Sequence, residues 1–506
     1  MSAVQSPLIA HLLAGMPGAR LIETHISWVI LADEFAYKLK KPLNLGFLDF
    51  STLDKRRACC EEEIRLNRRL APQIYLEVLP VTGDIDRPCL GGDGPVLEWA
   101  VKMRAFPGNA TLDLENEVTA DQVDAIADRV AAFHQSVAAA PEASTHGTPE
   151  QVQAPIRQNF LQLRALEPPR EILDLLDVLE KRAQTEGERL APHFAARKPR
   201  GFIRECHGDL HLGNIAWVDD APLIFDGIEF NPDLRYIDVI SEMAFLTMDL
   251  CHRQREDLAW RVLNRYLEHT GDYPGLAALH YYMGYRALVR AKVAGIRARQ
   301  EAGNFAECLD YLRLGERLTH PRRPGLILMH GVSGSGKTVL SQTLLQGLGA
   351  IRLRSDVERK RLFGLPPLAD SRGIPGGIYS PEAGELTRDR LLELAGQLLG
   401  EGFRVIVDAT FLARNWREPF RALAGNLHTP WCIVSPQVPP DILRQRVAQR
   451  RHQGGDASEA DLSVLEAQLL NQAPLDPMET HHAVIPTPAW DEGILLARTL
   501  SLLTSA

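Results

Sequence analysis

The stretch GVSGSGKT, Gly331–Thr338, decides the fold of the C-terminal part of this 506-residue chain. It satisfies the pattern GxxxxGK[ST], with the apolar run LILMH before it and a helical pattern after it. Glycines in this arrangement let consecutive backbone N–H groups surround phosphates, while Lys337 reaches the outer phosphates and the Thr338 hydroxyl binds Mg²⁺. The phosphate-contacting residues that we predict are Gly331, Ser333, Gly334, Ser335, Gly336, Lys337 and Thr338.

Strands and helices alternate around this loop. The proline-rich segment THPRRPG, Thr319–Gly325, precedes the first strand and predicts a domain that spans residues 324–506. Further strands are predicted at AIRLRS and FRVIVDAT, with a helix from Glu382 to Leu399 that ends at the glycines of GEG, Gly400–Gly402. The alternation predicts an α/β domain with a doubly wound parallel sheet.

Two carboxylates complete the chemistry expected of this domain. Asp408 ends the predicted strand VIV, where a carboxylate can hold a metal ion or its water. Asp356 follows the preceding strand and lies where a phosphoryl-transferring enzyme places its proton acceptor, although an ordinary N-cap role is an equal alternative. Arg359, one helical turn further on, favours contact with a substrate or a phosphate.

A helix rich in arginine follows, in the segment LRQRVAQRR, with Arg444, Arg446, Arg450 and Arg451 before a GG break. It predicts a helical lid that brings positive charge over a transferring phosphoryl group, with Arg450 and Arg451 as the candidate catalytic residues. A solvated basic face is the alternative.

The segment from Gly325 to about Leu475 resembles the P-loop kinases that include polynucleotide 5′-kinase domains, zeta toxins and gluconate kinases. The motifs that carry this resemblance are GVSGSGKT, LRSDVERK, VIVDATF and GGDASEADLSVLEAQL. The resemblance implies ATP as the phosphoryl donor and Asp356 as the base. It does not identify the acceptor, because the sequence shows no arginine-rich groove for nucleic acid.

A second phosphotransfer motif, HGDLHLGNI, lies upstream at His207–Ile215. Asp209 and Asn214 have the separation that protein kinases use between the catalytic base and a metal-binding asparagine. The strands IAWV and PLIFD then form a predicted hairpin that returns Asp226 to the loop as the principal Mg²⁺ ligand. We expect His207 to brace the loop backbone and His211 to be structural.

The material before this motif predicts a small sheet with one helix, followed by a larger helical lobe. WVILADEFAYKLKK reads as two strands joined at Asp33 and Glu34, EEEIRLNRRL as a helix, and VLEWAVKMRAF as another strand. The predicted domain covers residues 1–320, with an N-lobe at about 20–107 and a C-lobe at 108–320.

From about Leu21 to Leu250 the chain resembles the aminoglycoside phosphotransferase and choline kinase branch of the kinase-like fold. The resemblance implies an α+β two-lobe domain that binds ATP and Mg²⁺. It makes Lys38 the phosphate-binding lysine, Glu63 its ion-pair partner and Met103 part of the adenine-contacting hinge. Lys40 is an alternative to Lys38, and Glu61 and Glu62 are lesser alternatives to Glu63. The chain departs from the usual pattern because no GxGxxG precedes Lys38.

Composition limits the classes of function. The net charge of −9 argues against an extended nucleic-acid surface, and no run approaches the ~20 apolar residues of a membrane span. Seven cysteines without a CxxC motif are expected to be reduced. We therefore expect a cytoplasmic protein with small-molecule partners.

Together the motifs predict two fused ATP-dependent phosphotransferases that act on hydroxyl groups. Two alternatives remain open at this point. One domain could bind nucleotide without turnover and regulate the other, or the C-terminal domain could phosphorylate nucleic-acid ends. The acceptors and the oligomeric state are not predicted.

Overall fold

The structure is a computed structural model that describes residues 5–44, 46, 48–115, 117–301, 303–371, 377–453, 457–487 and 489–504. The chain forms two compact units. The first comprises the chain through Asp249 together with Tyr285–Leu309, and the second comprises Leu250–Gly284 together with the chain from Asp310 onward. The predicted division into domains at residues 320–324 remains a prediction, and the compact units differ from it because they assign Leu250–Gly284 and residues 310–320 to the second unit.

The first unit begins with an antiparallel sheet. Its elements are α1 (Gln5–Ala14), β1 (Arg20–Glu23), β2 (Ser27–Ala32), β3 (Phe35–Lys40), α2 (Leu53–Asn67), β4 (Tyr75–Asp84), β5 (Arg87–Leu90) and β6 (Val96–Arg104). The strand order is β1-β2-β3-β6-β4-β5. The hairpin of β2 and β3 and the strand β6 confirm the sequence interpretation, whereas β1, β4 and β5 were not predicted.

Helix α2 starts earlier than its apolar spacing indicated. The Thr52 hydroxyl accepts a hydrogen bond from the Lys55 N–H at 3.3 Å and caps the helix, which adds two turns before Glu61. These turns are charged and mainly exposed, so apolar periodicity did not reveal them. The longer helix includes Glu63 and buries it completely.

The rest of the first unit is mainly helical, as predicted. It contains α3 (Ala120–Ser136), α4 (Pro149–Ala165), α5 (Arg170–Arg197), β7 (Ile203–Glu205), β8 (Ile215–Val218), β9 (Ala221–Ile224), β10 (Tyr236–Asp238) and α6 (Val239–His252). Strands β8 and β9 form the predicted antiparallel hairpin, and β7 pairs with β10. A short 3₁₀ turn at Leu212–Asn214 connects the loop after β7 to β8.

Three helices follow: α7 (Glu256–Thr270), α8 (Leu279–Gln300) and α9 (Ala306–Leu318). The second unit then continues with β11 (Gly325–Met329), α10 (Lys337–Leu348), β12 (Ala350–Arg354), α11 (Ser355–Leu362), α12 (Pro381–Gly400), β13 (Arg404–Asp408), α13 (Arg414–Asn426), β14 (Trp431–Val434), α14 (Pro440–Gln453), α15 (Leu462–Asn471), α16 (Pro477–His481), β15 (Ala483–Val484) and α17 (Glu492–Thr504).

The sheet of the second unit is parallel throughout, in the order β12-β13-β11-β14-β15. Its central strand β11 is buried at every position and leads directly into the glycine-rich loop. Parallel strands direct their carboxyl ends to one edge, so the ends of β11 and β13 bring the loop and Asp408 together. This arrangement confirms the predicted α/β fold. Among the helices that the structure describes, each is too short or too polar to cross a membrane.

Candidate active sites

Strand β3 directs two lysines toward one glutamate in the first unit. Lys38 and Lys40 are two residues apart and therefore share a face of the sheet. The Lys38 ammonium lies 2.9 Å from Glu63 Oε1, and the Lys40 ammonium lies 2.7 Å from Glu63 Oε2. Lys38 also contacts Asp226, whereas Lys40 contacts Glu229. The predicted lysine and its alternative thus both pair with Glu63, but only Lys38 contacts Asp226.

The charges of this cluster stabilise one another in a buried environment. Burial lowers the pKa of Lys38, but Asp226 and Glu63 raise it more, so its pKa lies well above the ordinary value. Burial likewise raises the pKa of Glu63 and the two lysines lower it, with a net pKa of about 2. Both groups are therefore charged at neutral pH. Glu61 and Glu62, the lesser alternatives, do not form this pair; Glu61 bonds Arg57, and Glu62 bonds Arg65 and Arg235.

Asp226 lies in a strained turn just after the hairpin. Its φ of 62° is in the left-handed region, which is unfavourable for a residue with a side chain. The turn is held because the Asp226 N–H donates to the Tyr75 hydroxyl at 3.0 Å and the Gly227 N–H donates to Asn67 Oδ1 at 2.8 Å. The Asp226 side chain keeps 44% exposure, which leaves its carboxylate accessible to a ligand.

The loop after β7 brings Asp209 and Asn214 together, as their spacing predicted. The Asn214 side-chain amide donates to Asp209 Oδ2 at 3.0 Å and to the Asp209 carbonyl at 2.9 Å. Burial raises the pKa of Asp209, but His211 lowers it more, so its pKa lies below the ordinary value. The carboxylate is therefore ionised and able to accept a proton from an acceptor hydroxyl.

Distant residues hold this loop in place. The Glu242 carboxylate accepts the His207 and Gly208 N–H groups, each at 2.9 Å, and also bonds His134 Nε2 at 2.9 Å. Arg286, on α8, donates to the Gly208 carbonyl at 3.0 Å. His207 Nε2 bonds the Phe225 carbonyl at 2.8 Å and joins the loop to the hairpin. The expectation that His207 braces the backbone agrees with these contacts.

His211 has a more specific position than the structural role expected of it. Its Nε2 lies 3.5 Å from Asp209 Oδ2, and its Nδ1 accepts the Gly213 N–H at 3.1 Å. Because Nδ1 accepts, the ring proton of the neutral imidazole is on Nε2 and faces the carboxylate. His211 therefore orients the candidate base. Met103 lies on β6 opposite Ala36, partly buried, and its adenine contact remains a prediction.

The glycine-rich loop of the second unit has the geometry of a phosphate cradle. Gly336 precedes α10 with φ 91°, and this helix start has no side-chain cap among the described residues. The first N–H groups of any α-helix point out of its N-terminus and can bind a ligand. The Lys337 ammonium lies 2.9 Å from the Val332 carbonyl, across the loop. A helix start of this kind binds anions such as phosphate.

Asp408 and Thr338 form the pair expected for a metal site. The Thr338 hydroxyl lies 3.1 Å from Asp408 Oδ2, and the Ser341 hydroxyl lies 3.2 Å from the same oxygen. A carboxylate and a hydroxyl are oxygen donors, which suit Mg²⁺ when nucleotide phosphates supply further ligands. Ser341 is fully buried behind them and was not predicted.

Asp356 lies in the first turn of α11 rather than at its cap. The helix begins at Ser355, with Arg354 in the capping position, so the N-cap alternative is wrong. Arg359 contacts Asp356 at 3.2 Å and lies over the Tyr379 ring at 4.7 Å. The predicted base and its arginine are therefore adjacent, with an aromatic side chain beside them.

Two further residues touch the glycine-rich loop. The Ser333 N–H donates to Gln468 Oε1 of α15 at 2.7 Å, and Arg446 of α14 contacts the Gly334 carbonyl at 3.4 Å. Among the arginines of α14 whose side chains the structure describes, Arg446 lies at the loop and Arg444 pairs with Glu466 at 2.7 Å. The side chains of Arg450 and Arg451 fall outside the described part of the structure, and their lid role remains a prediction.

The chain matches two known families in separate segments. Residues 49–279 match the phosphotransferase enzyme family (APH), and residues 326–475 match the AAA domain family AAA_33. The uncharacterized protein Rv2004c of Mycobacterium tuberculosis is 31% identical over 474 residues, which cover 92% of this chain and 93% of the relative.

Two solved structures are similar in part. A choline/ethanolamine kinase family protein from Mesorhizobium loti has 14% identity and a TM-score of 0.38, over 63% of this chain and 94% of that one. A gluconokinase from Sinorhizobium meliloti has 20% identity and a TM-score of 0.26, over 36% of this chain and 94% of that one.

Proposed function

This chain belongs to the same family as its Mycobacterium tuberculosis relative and is a phosphotransferase that joins an APH-family domain to a P-loop kinase domain; on that basis we propose that both domains are catalytic. Each domain transfers the γ-phosphoryl group of ATP to a hydroxyl group of a small molecule. The two reactions use different machinery, because the glycine-rich loop occurs only in the second.

One observation carries the proposal: each unit contains a lysine suited to phosphate, a set of oxygen donors suited to a metal ion and a separate carboxylate suited to accept a proton. In the first unit these are Lys38, Asp226 with Asn214, and Asp209. A protein that only sensed nucleotide would need the first two components but not the third. A carboxylate base in both units therefore supports turnover in both.

The residues of the first unit divide the work as follows. Asp226 and Asn214 would hold Mg²⁺, which would neutralise phosphate charge, and Lys38 would bind the phosphates of ATP. Asp209 would accept the proton of the acceptor hydroxyl, while Asn214 and His211 would hold the Asp209 carboxylate in position. Glu63 keeps the Lys38 ammonium near Asp226.

The second unit performs the same tasks with other residues. The loop Gly331–Thr338 and Lys337 would bind the phosphates, and Thr338 with Asp408 would hold Mg²⁺. Asp356 would accept the acceptor proton, and Arg359 beside it would contact the acceptor or the transferred group. The adjacent Tyr379 ring offers a surface on which a small acceptor can pack.

The test is a screen of phosphoryl transfer from labelled ATP to a library of hydroxyl-bearing metabolites, with the full chain. We expect phosphorylated products that disappear when both Asp209 and Asp356 are replaced by asparagine. The regulatory alternative predicts product from one domain at most, with nucleotide bound but not turned over in the other domain. The nucleic-acid alternative predicts that 5′-hydroxyl oligonucleotides, included in the same screen, are phosphorylated in preference to every metabolite.

A further inference from the structure

Helix α7 lies within the segment that matches the phosphotransferase family, yet it packs on the nucleotide-binding sheet of the second unit. Its Asn264 side chain pairs with the open edge of β12. The Asn264 amide donates to the Ala350 carbonyl at 2.9 Å and accepts the Arg352 N–H at 2.7 Å. One side chain thus pairs with a backbone carbonyl and a backbone N–H of the edge strand, as a neighbouring strand would.

In the next turn of α7, Glu268 binds Arg352 of β12, whose side chain extends to Ser341 beside the candidate metal-binding residues. Glu268 Oε1 accepts Arg352 Nη2 at 2.7 Å and Arg352 Nε at 3.1 Å. Both side chains are over 90% buried. Burial raises the pKa of Glu268, but Arg352 and Arg354 lower it more, so the carboxylate is charged. A buried arginine needs this partner, because an unpaired buried charge is strongly unfavourable.

Arg352 connects this pair to the metal-binding oxygens. Its Nη1 lies 3.3 Å from Ser341 Oγ, and Ser341 Oγ lies 3.2 Å from Asp408 Oδ2. Since Arg352 donates to the Ser341 oxygen, the single hydroxyl proton of Ser341 is directed away from it, toward Asp408 or the Thr338 carbonyl at 3.0 Å. Helix α7 is therefore two side chains away from Asp408.

The C-terminal end of α7 also holds the helix that carries the candidate base. Arg361 of α11 donates to the Glu268 carbonyl at 2.6 Å and to the Leu267 carbonyl at 3.3 Å. These carbonyls belong to the last turn of α7, the end of a helix that favours cations, and the Leu267 carbonyl also accepts the Gly271 N–H at 2.8 Å. Asp356 lies on the same helix α11 as Arg361. One helix thus supports both the metal side and the base side of the site.

We propose that α7 supports the P-loop site of the second unit and that Glu268 is a positioning residue for the Mg²⁺ of that site. The proposal rests on the function proposed above for the second unit. Glu268 neutralises Arg352, which otherwise places a positive charge one hydroxyl group away from Asp408 and competes with the cation. A consequence is that a fragment starting at residue 324, the predicted domain boundary, lacks this support.

The test measures the Mg²⁺ dependence of nucleotide binding in the full chain. Binding at the second site is taken as the part of total nucleotide binding that Lys337→Ala removes. Glu268→Gln keeps the shape of the side chain and removes its charge. We expect the Mg²⁺ concentration for half-maximal affinity to rise about tenfold, the lower end for changes behind a metal ligand. Nucleotide affinity in EDTA is expected to change less than twofold. The matched control is Glu256→Gln, on the same helix, whose side chain is half-exposed.

A double-mutant cycle separates positioning from general stability. Ser341→Ala interrupts the connection to Asp408, so Glu268→Gln is expected to add less than twofold in that background. If Glu268→Gln does not fold, Glu268→Asp, which keeps the charge at a shorter reach, replaces it in the cycle. An unchanged Mg²⁺ requirement, or full additivity with Ser341→Ala, overturns the proposal. Absence of any component sensitive to Lys337→Ala contradicts the proposed function of the second unit as well.

Discussion

The two buried lysines of β3 are expected to have separate roles, and Lys40→Met tests this division. In the cluster, two ammonium groups face three carboxylates, those of Glu63, Asp226 and Glu229, for a net charge of −1. Lys40 is completely buried, and Lys40→Met makes the net charge of the cluster −2 while it leaves the buried Glu63 and Glu229 carboxylates without their Lys40 partner. Removing one partner of a buried ion pair costs about 3–5 kcal/mol.

The assay is hydrogen exchange of peptides that contain β3, followed by mass spectrometry. Because each 1.4 kcal/mol is a factor of ten, the expected loss of protection is roughly a hundredfold or more. Lys40→Met with Glu229→Gln returns the net charge to −1 and is expected to recover most of the protection. Nucleotide affinity, measured in a chain that also carries Lys337→Ala, is expected to survive Lys40→Met but not Lys38→Met.

Two results would refute this reasoning. The first is unchanged exchange of the β3 peptides in Lys40→Met, since a fully buried partner of two carboxylates cannot be removed without cost. The second is loss of nucleotide affinity in folded Lys40→Met with retention in Lys38→Met, which would make Lys40 the phosphate-binding lysine.

Three further outcomes follow from the site geometry. Asp226→Ala is expected to abolish Mg²⁺-dependent nucleotide binding at the first site and leave the second unchanged, because Asn214 alone supplies too few ligands; calorimetry that finds unchanged Mg·ATP affinity at the first site would contradict this. Lys337→Ala should reduce both nucleotide affinity and turnover at the second site, whereas Arg446→Ala should chiefly lower turnover, by up to about 10³-fold. Single-turnover kinetics check this prediction. Wild-type turnover in Arg446→Ala would exclude a lid role for Arg446. Tyr75→Phe leaves the Asp226 N–H without its partner and is expected to destabilise the first unit by about 1–3 kcal/mol; an unchanged urea midpoint for that unit would argue against the strained turn.

Local patterns predicted the parts of the fold that depend on neighbouring residues. The glycine-rich loop, the strand that ends at Asp408 and the hairpin that returns Asp226 each have a signal within a short segment. The structure brings together the predicted set of Lys38, Glu63 and Asp226. The family resemblance made the pairing of Lys38 with Glu63 predictable, which spacing alone could not do.

The supporting contacts were not predicted because their partners are far apart in the chain. Arg286 lies 78 residues from Gly208, and Glu242 lies 34 residues from it. Neither residue stands in a recognisable motif, although a charged residue in the apolar stretch of α6 was a signal that a partner was needed. Glu268 gave no such signal, because α7 contains several other charged residues, and the strand that Glu268 supports begins some eighty residues later.

The central claim is that one chain carries two independent phosphotransferases, and crossed variants of the two bases test it most directly. With an acceptor for each site taken from the metabolite screen, product formation from labelled ATP is measured for the full chain, Asp209→Asn, Asp356→Asn and the double variant. A general base contributes about 10²- to 10⁴-fold, so each single variant is predicted to lose one product by that factor and keep the other, while both variants still bind ATP at both sites. Loss of both products in either single variant, or full formation of both products in the double variant, would contradict the account.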